Sequence, residues 1–185
     1  MNKISILIIT TLVIVTVTSC FTNQHNQHIA LTNDKYNPDL NSTSFSYLGD
    51  YSINVEIPGK WKYIGFDNDS RDHTFRDSLN QTLFIFKGGR GTSSFNKNNL
   101  DGDDFIDLFY KWDSEYYLAN NPNLKAKIVE RVSNKYLVGE YVDSTYQRTF
   151  LYGTLNEKGV RIGILSKTNK NIQTAFVSTI YRNLK

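Results

Sequence analysis

The sequence predicts an α+β fold in which an antiparallel β-sheet carries helices on its faces, and three observations point there. Strict alternation of Tyr51, Ile53, Val55 and Ile57 with polar neighbours marks a half-buried strand. Large apolar residues at helical spacing from Phe105 to Tyr116 mark a helix with one buried face. The order strands, helix, meander, helix then replaces the strand–helix alternation of a parallel sheet with an antiparallel sheet on which helices pack.

The first 44 residues precede this pattern. Met1-Asn2-Lys3 supplies one positive charge, and the run from Ile4 to Val17 is ended by Thr18-Ser19-Cys20. A helix needs about 20 apolar residues to cross the hydrocarbon core, so residues 1–19 read as a signal peptide. Val17-Thr18-Ser19-Cys20 resembles a lipobox, with Val17 where leucine is commonest. Cys20 is the single cysteine, which excludes an intramolecular disulfide and makes it the expected lipidation site. Acyl chains there would supply the signals that stable anchoring needs. Residues 20–44, rich in Asn, Gln, Thr, Ser and His, read as the lipidated cysteine and a flexible tether. No acidic run follows Cys20, and Phe21 stands where an inner-membrane retention aspartate would be. The expected location is therefore the cell membrane, lipid-anchored, on the outer membrane facing the periplasm.

Residues 45–185 read as a single α+β domain. After the strand Tyr51–Ile57, Pro58-Gly59 makes a break and Trp61–Phe66 a second strand. His73–Phe75 and Thr82–Phe86 follow as strands, with Gly88-Gly89-Arg90-Gly91 opening a long loop. Asp101 is expected to cap a helix whose first turn holds Asp104, with Phe105, Leu108, Phe109, Trp112 and Tyr116 on its buried face. Asn120-Asn121-Pro122 ends it. Strands at 124–132, 136–142, 145–155 and 160–167 come next, the last two joined by a hairpin at Asn156-Glu157-Lys158-Gly159 in which Gly159 is expected at positive φ. A closing helix is capped by Thr168 or Asn169 and buries Ile172, Ala175, Phe176, Ile180 and Leu184.

Two segments resemble the PsbP-like superfamily, which includes the DcrB-like and LpqN-like exported proteins. One is Tyr51-Ser52-Ile53-Asn54-Val55-Glu56-Ile57-Pro58-Gly59-Lys60-Trp61. The other is the strand Arg161-Ile162-Gly163-Ile164-Leu165, which leads through Thr168 into a helix reaching Phe176 and Ile180. The resemblance implies an α/β/α sandwich around an antiparallel sheet, with binding or assembly duties; it brings no shared catalytic set to carry over.

The residues themselves point away from several chemistries. The net charge of +3 falls to +2 without Lys3, and basic residues are scattered among acidic ones, which argues against nucleic acid. His25 and His28 lack a third metal ligand. The glycine loop at 88–91 lacks P-loop spacing, and Asp101, Asp103, Asp104 and Asp107 lack the closing glutamate of a calcium loop. His73, with Ser70, Asp69 and Asp72 nearby, has no nucleophile-elbow motif around it. Neither a cofactor nor a metal is expected. Aromatic residues make up 14% of the chain, with 12 Tyr and 11 Phe; Tyr146, Phe150 and Tyr152 share one strand face and form the expected partner-binding surface. Asp77-Ser78-Leu79 matches a short O-glycosylation acceptor pattern, which flags Ser78. The expected function is a non-enzymatic, membrane-anchored binding or assembly module for another cell-envelope protein. A toxin-neutralising immunity lipoprotein is the alternative, and a small hydrolase built around His73 the third.

Overall fold

A computed structural model describes residues 31–49, 51–143, 147–166 and 170–185. Its strands follow the period of two that the sequence carries. Three of them, β1 (Leu31–Asn37), β2 (Ser42–Leu48) and β3 (Ile53–Pro58), pair antiparallel in that order as one small sheet. The others are β4 (Trp61–Phe66), β5 (His73–Asp77), β6 (Thr82–Gly89), β7 (Lys125–Val132), β8 (Tyr136–Val142), β9 (Gln147–Leu155) and β10 (Lys158–Ser166). They form a seven-stranded antiparallel sheet in the order β4-β5-β6-β10-β9-β8-β7. Helix α1 (Gly102–Asn120) packs across β7, β8 and β9, and helix α2 (Lys170–Asn183) packs against β3, β9 and β10. No helix among the described residues is long and apolar enough to cross a membrane.

Alternation along each central strand divides the core in two. On β10, Val160, Ile162 and Ile164 join Leu83, Ile85 and Leu151 in a core shared with Phe45, Val55 and Ile57 of the small sheet and with Val177 and Ile180 of α2. On β8 and β9, Leu137, Tyr141, Phe150 and Tyr152 face the other way and meet Phe105, Ile106 and Phe109 of α1. Full burial of side chains of this size stabilises by about 1.5 to 3 kcal/mol each. The helix on each face agrees with the expected sandwich, but the α2 face is shared with the small sheet.

That sheet corrects the tether. Strands begin at Leu31 and Ser42, inside the segment read as flexible, so the domain extends N-terminal of residue 45. The reason is compositional: β2 is Ser-Thr-Ser-Phe-Ser-Tyr-Leu, in which Phe45 is fully buried while serines alternate with it. Its order comes from pairing with β3, which no local pattern announces. The Thr43 hydroxyl donates to the Gly59 carbonyl at 2.8 Å and accepts from the Trp61 amide at 3.0 Å, fastening the small sheet to the first strand of the large one.

Turns and edges show three further departures. The hairpin between β9 and β10 closes on Asn156 and Glu157, both at positive φ (48° and 63°), as a two-residue loop requires. Gly159 instead lies within β10, where a Cβ would stand 2.8 Å from the Phe105 ring. Asp101 occupies the N-cap of α1 without a side-chain cap bond. Asp103 reaches across to the β7–β8 turn, accepting from the Ser133 hydroxyl at 2.6 Å and the Asn134 amide at 2.9 Å. Both outer strands of the large sheet are bulged, β4 between Tyr63 and Gly65 and β7 between Ile128 and Glu130.

Candidate functional site

The α1 helix presents Phe105, Phe109 and Asp113 at intervals of four, so an acidic residue occupies the third place of a buried stripe. Beneath it, β10 presents Arg161 between Gly159 and Gly163 on the face turned towards α1. A Cβ at Gly163 would come within 2.1 Å of the Phe150 ring, so both glycines leave room for aromatic rings on either side of the arginine. Arg161 is 7% exposed and Asp113 3%. The guanidinium donates through one terminal nitrogen to Asp113 at 2.5 Å and through the other to Asp72 at 2.7 Å. Tyr152 donates to the second Asp113 oxygen at 2.6 Å, and the Tyr141 hydroxyl lies 2.9 Å from that of Tyr152, so Tyr141 donates onward into the chain.

Electrostatics follow from this burial. Desolvation pushes the Asp72 carboxyl up, and the Arg161 charge works against that shift. For Arg161 burial opposes the charge, yet Asp72 and Asp113 outweigh it and hold the guanidinium above its ordinary value. Burial raises Tyr141 and Tyr152 well above the usual phenol range, with Asp113 adding to both. Tyr117 is pushed up to about 12 by burial and then by Asp113. These phenols therefore stay protonated as hydrogen-bond donors.

Above this network opens a cleft of about 570 Å³. One wall is the β4–β5 loop, with Asp67, Asp69, Ser70, Arg71 and Asp72; the other is aromatic, with Phe95, Phe109, Trp112, Tyr116 and Tyr117. Phe95 stacks on Phe109 (centroids 4.9 Å apart) and on Trp112 (5.0 Å), the three rings forming one cluster. Trp112 is 44% exposed and Tyr116 65%, so the buried face of α1 is turned away from the position the sequence suggested for them. Asp67 shapes its loop by accepting from the amides of Asp69 and Ser70 at 2.9 and 2.8 Å, and these bonds hold its carboxyl below the usual range.

No family model and no curated protein matches the sequence. Among solved structures, the chain is similar to the solution structure of cyanobacterial PsbP (CyanoP) from Synechocystis sp. PCC 6803. The match has a TM-score of 0.50 and 11% identity, and it covers 86% of this chain and 95% of that one. The fold is PsbP-like. At that identity the likeness concerns architecture alone, and the residues of the cleft are read from this chain.

Within the PsbP-like scaffold the residues singled out from sequence scatter. Phe150 and Tyr152 do share a strand face, but that face lies under α1 with exposures of 3% and 0%, so they offer no surface to a partner. Tyr146 lies outside the described residues, as do Cys20, His25 and His28. Ser78 is exposed in the turn after β5. His73 is fully buried between the sheets, its ring 4.4 Å from Tyr47 and 4.9 Å from Phe66 by centroids. Its Nε2 lies 2.9 Å from the Tyr51 carbonyl, which can only accept; Nε2 therefore carries the proton, and Nδ1 faces the Tyr63 hydroxyl at 3.5 Å. Sequence reading grouped it with Ser70, Asp69 and Asp72, but alternation sends the side chain of His73 into the intersheet core while Asp72 lines the cleft.

Burial lowers the His73 pKa below 6.5, with the Tyr51 carbonyl opposing. The unfolded chain then binds more protons between the folded value and 6.5, so the stabilisation is complete above 6.5 and is lost as pH falls through the folded pKa. Urea midpoints should decline from pH 7.5 to pH 5.5, and His73→Gln should flatten that decline; equal slopes in both chains would refute the assignment.

Proposed function

We propose that the chain is a lipid-anchored binding or assembly module of the cell envelope, without catalytic activity, which engages another envelope protein through the cleft between α1 and the β4–β5 loop. The observation that carries the reading is the exposed Trp112 and Tyr116 standing over ionic groups already engaged with one another. Aromatic anchors beside a concave site favour recognition, because their rings bury large area with few rotamers to order. Anchoring rests on Cys20 at the end of the apolar leader, and the absence of an acidic run after it favours the periplasmic face of the outer membrane. Kinship with the DcrB-like or LpqN-like exported lipoproteins is part of the same proposal.

Two measurements on whole cells test it. Cys20→Ala should lose incorporation of a palmitate analogue; retained label would remove the anchor. A photo-crosslinking residue at Tyr116 should give a discrete adduct with one envelope protein, while the same residue at Ile172, which is 64% exposed on α2, should not. Equal adducts from both positions, or none from Tyr116, would reject the cleft as the docking site.

A further inference from the structure

Resting on the cleft as the binding site, we infer that His73 is a proton-operated latch for the polar wall of that cleft. While its ring is neutral, the β4–β5 loop stays tied to Tyr51; a proton on the ring lets the two segments part before the rest of the domain opens. Three contacts meet at Tyr51. Its carbonyl accepts from His73 Nε2 at 2.9 Å, its ring stacks on Phe66 with centroids 5.7 Å apart, and the Arg71 guanidinium lies 5.2 Å from the centroid of that ring. Phe66 and His73 bracket the loop and are paired across β4 and β5. Within the loop, the Asp67 amide donates to the Asp72 carbonyl at 2.9 Å. Phe86, which also lines the cleft, has its ring 6.3 Å from that of Tyr51. The wall therefore leans through one residue on the chain between β2 and β3.

The surroundings of the ring offer a positive charge no compensation. Phe45 and Tyr47 face it from β2, Tyr63 and Phe66 from β4, and Ile85 of β6 is its backbone neighbour. The titratable groups among these are the two phenols, and burial pushes Tyr63 up to about 12, so it stays neutral. Arg71, over the Tyr51 ring, carries the same sign as a protonated imidazole. Asp72, the next residue in the chain, commits its carboxylate to Arg161 on the cleft side. Among the described residues no carboxylate bonds to the His73 ring, so a proton there is accommodated only by bringing the ring to water. A local opening suffices for that. β4 is the outer strand at this end of the large sheet and is bulged between Tyr63 and Gly65, while the central β6-β10-β9 ladder takes no part in the Tyr51 contacts. A partner that binds the closed wall is therefore held at neutral pH and released in acid.

Hydrogen exchange of the full-length protein in detergent micelles, read by mass spectrometry at pH 7.5 and 5.5 and corrected for the intrinsic pH dependence of amide exchange, tests the latch. Peptides covering residues 51–55 and 66–75 should lose protection about three- to tenfold at the lower pH, the upper limit being set by a histidine that is neutral when closed and titrates at its ordinary 6.5 when open. That loss should be the same with and without about 1 M urea, because a local opening exposes little surface, whereas the β9 peptide 147–155 exchanges through global unfolding and follows urea. His73→Gln, whose amide can still donate to the Tyr51 carbonyl, should abolish the loss. Asp72 keeps its own titration in that variant, so the difference between the two chains belongs to His73. Protection unchanged within about twofold, or a loss that follows urea as β9 does, overturns the latch, and both results are read on the parent chain alone. An equal loss in a cooperatively melting His73→Gln overturns it as well. The Tyr116 adduct should form at pH 7.5 and weaken at pH 5.5 in the parent but not in His73→Gln; equal parent adducts at both pH values overturn the coupling to the cleft. No adduct at pH 7.5 rejects the binding reading instead, and the exchange data then judge the latch by themselves.

Discussion

Arg161→Met should lower stability by about 3 to 5 kcal/mol at neutral pH, and part of the loss should return on acidification. The substitution leaves Asp72 and Asp113, 5% and 3% exposed, without the charge that compensates them. Burial already raises Asp72 with Arg161 present, and removing the arginine deletes the main influence pulling it down. A carboxyl whose folded pKa exceeds the unfolded 3.8 binds protons preferentially in the folded state. Its destabilising effect is thus absent below 3.8 and grows as pH rises through the folded pKa. Urea unfolding at pH 7 and pH 4.5 measures both parts. Combining Arg161→Met with Asp72→Asn and Asp113→Asn should recover much of the deficit, since the cost lies in unpaired charge rather than in lost attraction. A single mutant within about 1 kcal/mol of the parent at pH 7 would mean the network contributes little.

A chain starting at Gly49 should lose cooperative unfolding, whereas one starting at Leu31 should retain it. The first lacks Phe45, whose ring packs edge-on to Phe75 at 4.7 Å and lies 4.6 Å from Tyr63. Truncating a buried phenylalanine to alanine costs about 3 to 5 kcal/mol. Losing Thr43 also strips the Trp61 amide of its acceptor, which adds about 1 to 3 kcal/mol for a buried group. Against a total stability of about 5 to 15 kcal/mol, little remains. Thermal melts by far-UV circular dichroism check this, and a sharp transition in the shorter chain would restore residues 45–185 as a sufficient unit.

Strands β3 to β10 and both helices were legible because each carries its own period of apolar residues. The small sheet was only a third legible. β3 shows clean alternation, but β1 and β2 are held by partners rather than composition, and serine and asparagine in a strand look like those in a linker. The cleft was hidden for another reason: Arg161 meets Asp113 across 48 positions and Asp72 across 89, and no local spacing encodes such a meeting. A signal was nevertheless present. Asp113 interrupts the stripe begun by Phe105 and Phe109, and Arg161 lies within the otherwise uncharged run from Gly159 to Leu165; opposite charges set in two such segments point to a buried pair. Phe150 and Tyr152 were correctly put on one face, but alternation leaves open whether that face meets solvent or a helix.

The bulges at the two ends of the large sheet bear on how the protein behaves at high concentration. A flat outer strand offers a row of unpaired amides and carbonyls on which a second copy could add its own strand, the first step towards polymers. Here one bulge interrupts the ladder in β4 and another in β7, and β7 also carries exposed Lys125, Lys127 and Arg131. Irregular backbone and charged side chains along the strand together disfavour edge-to-edge growth. Copies crowded onto a surface would then remain separate, which keeps exposed Ile128 and Val129 from seeding aggregation.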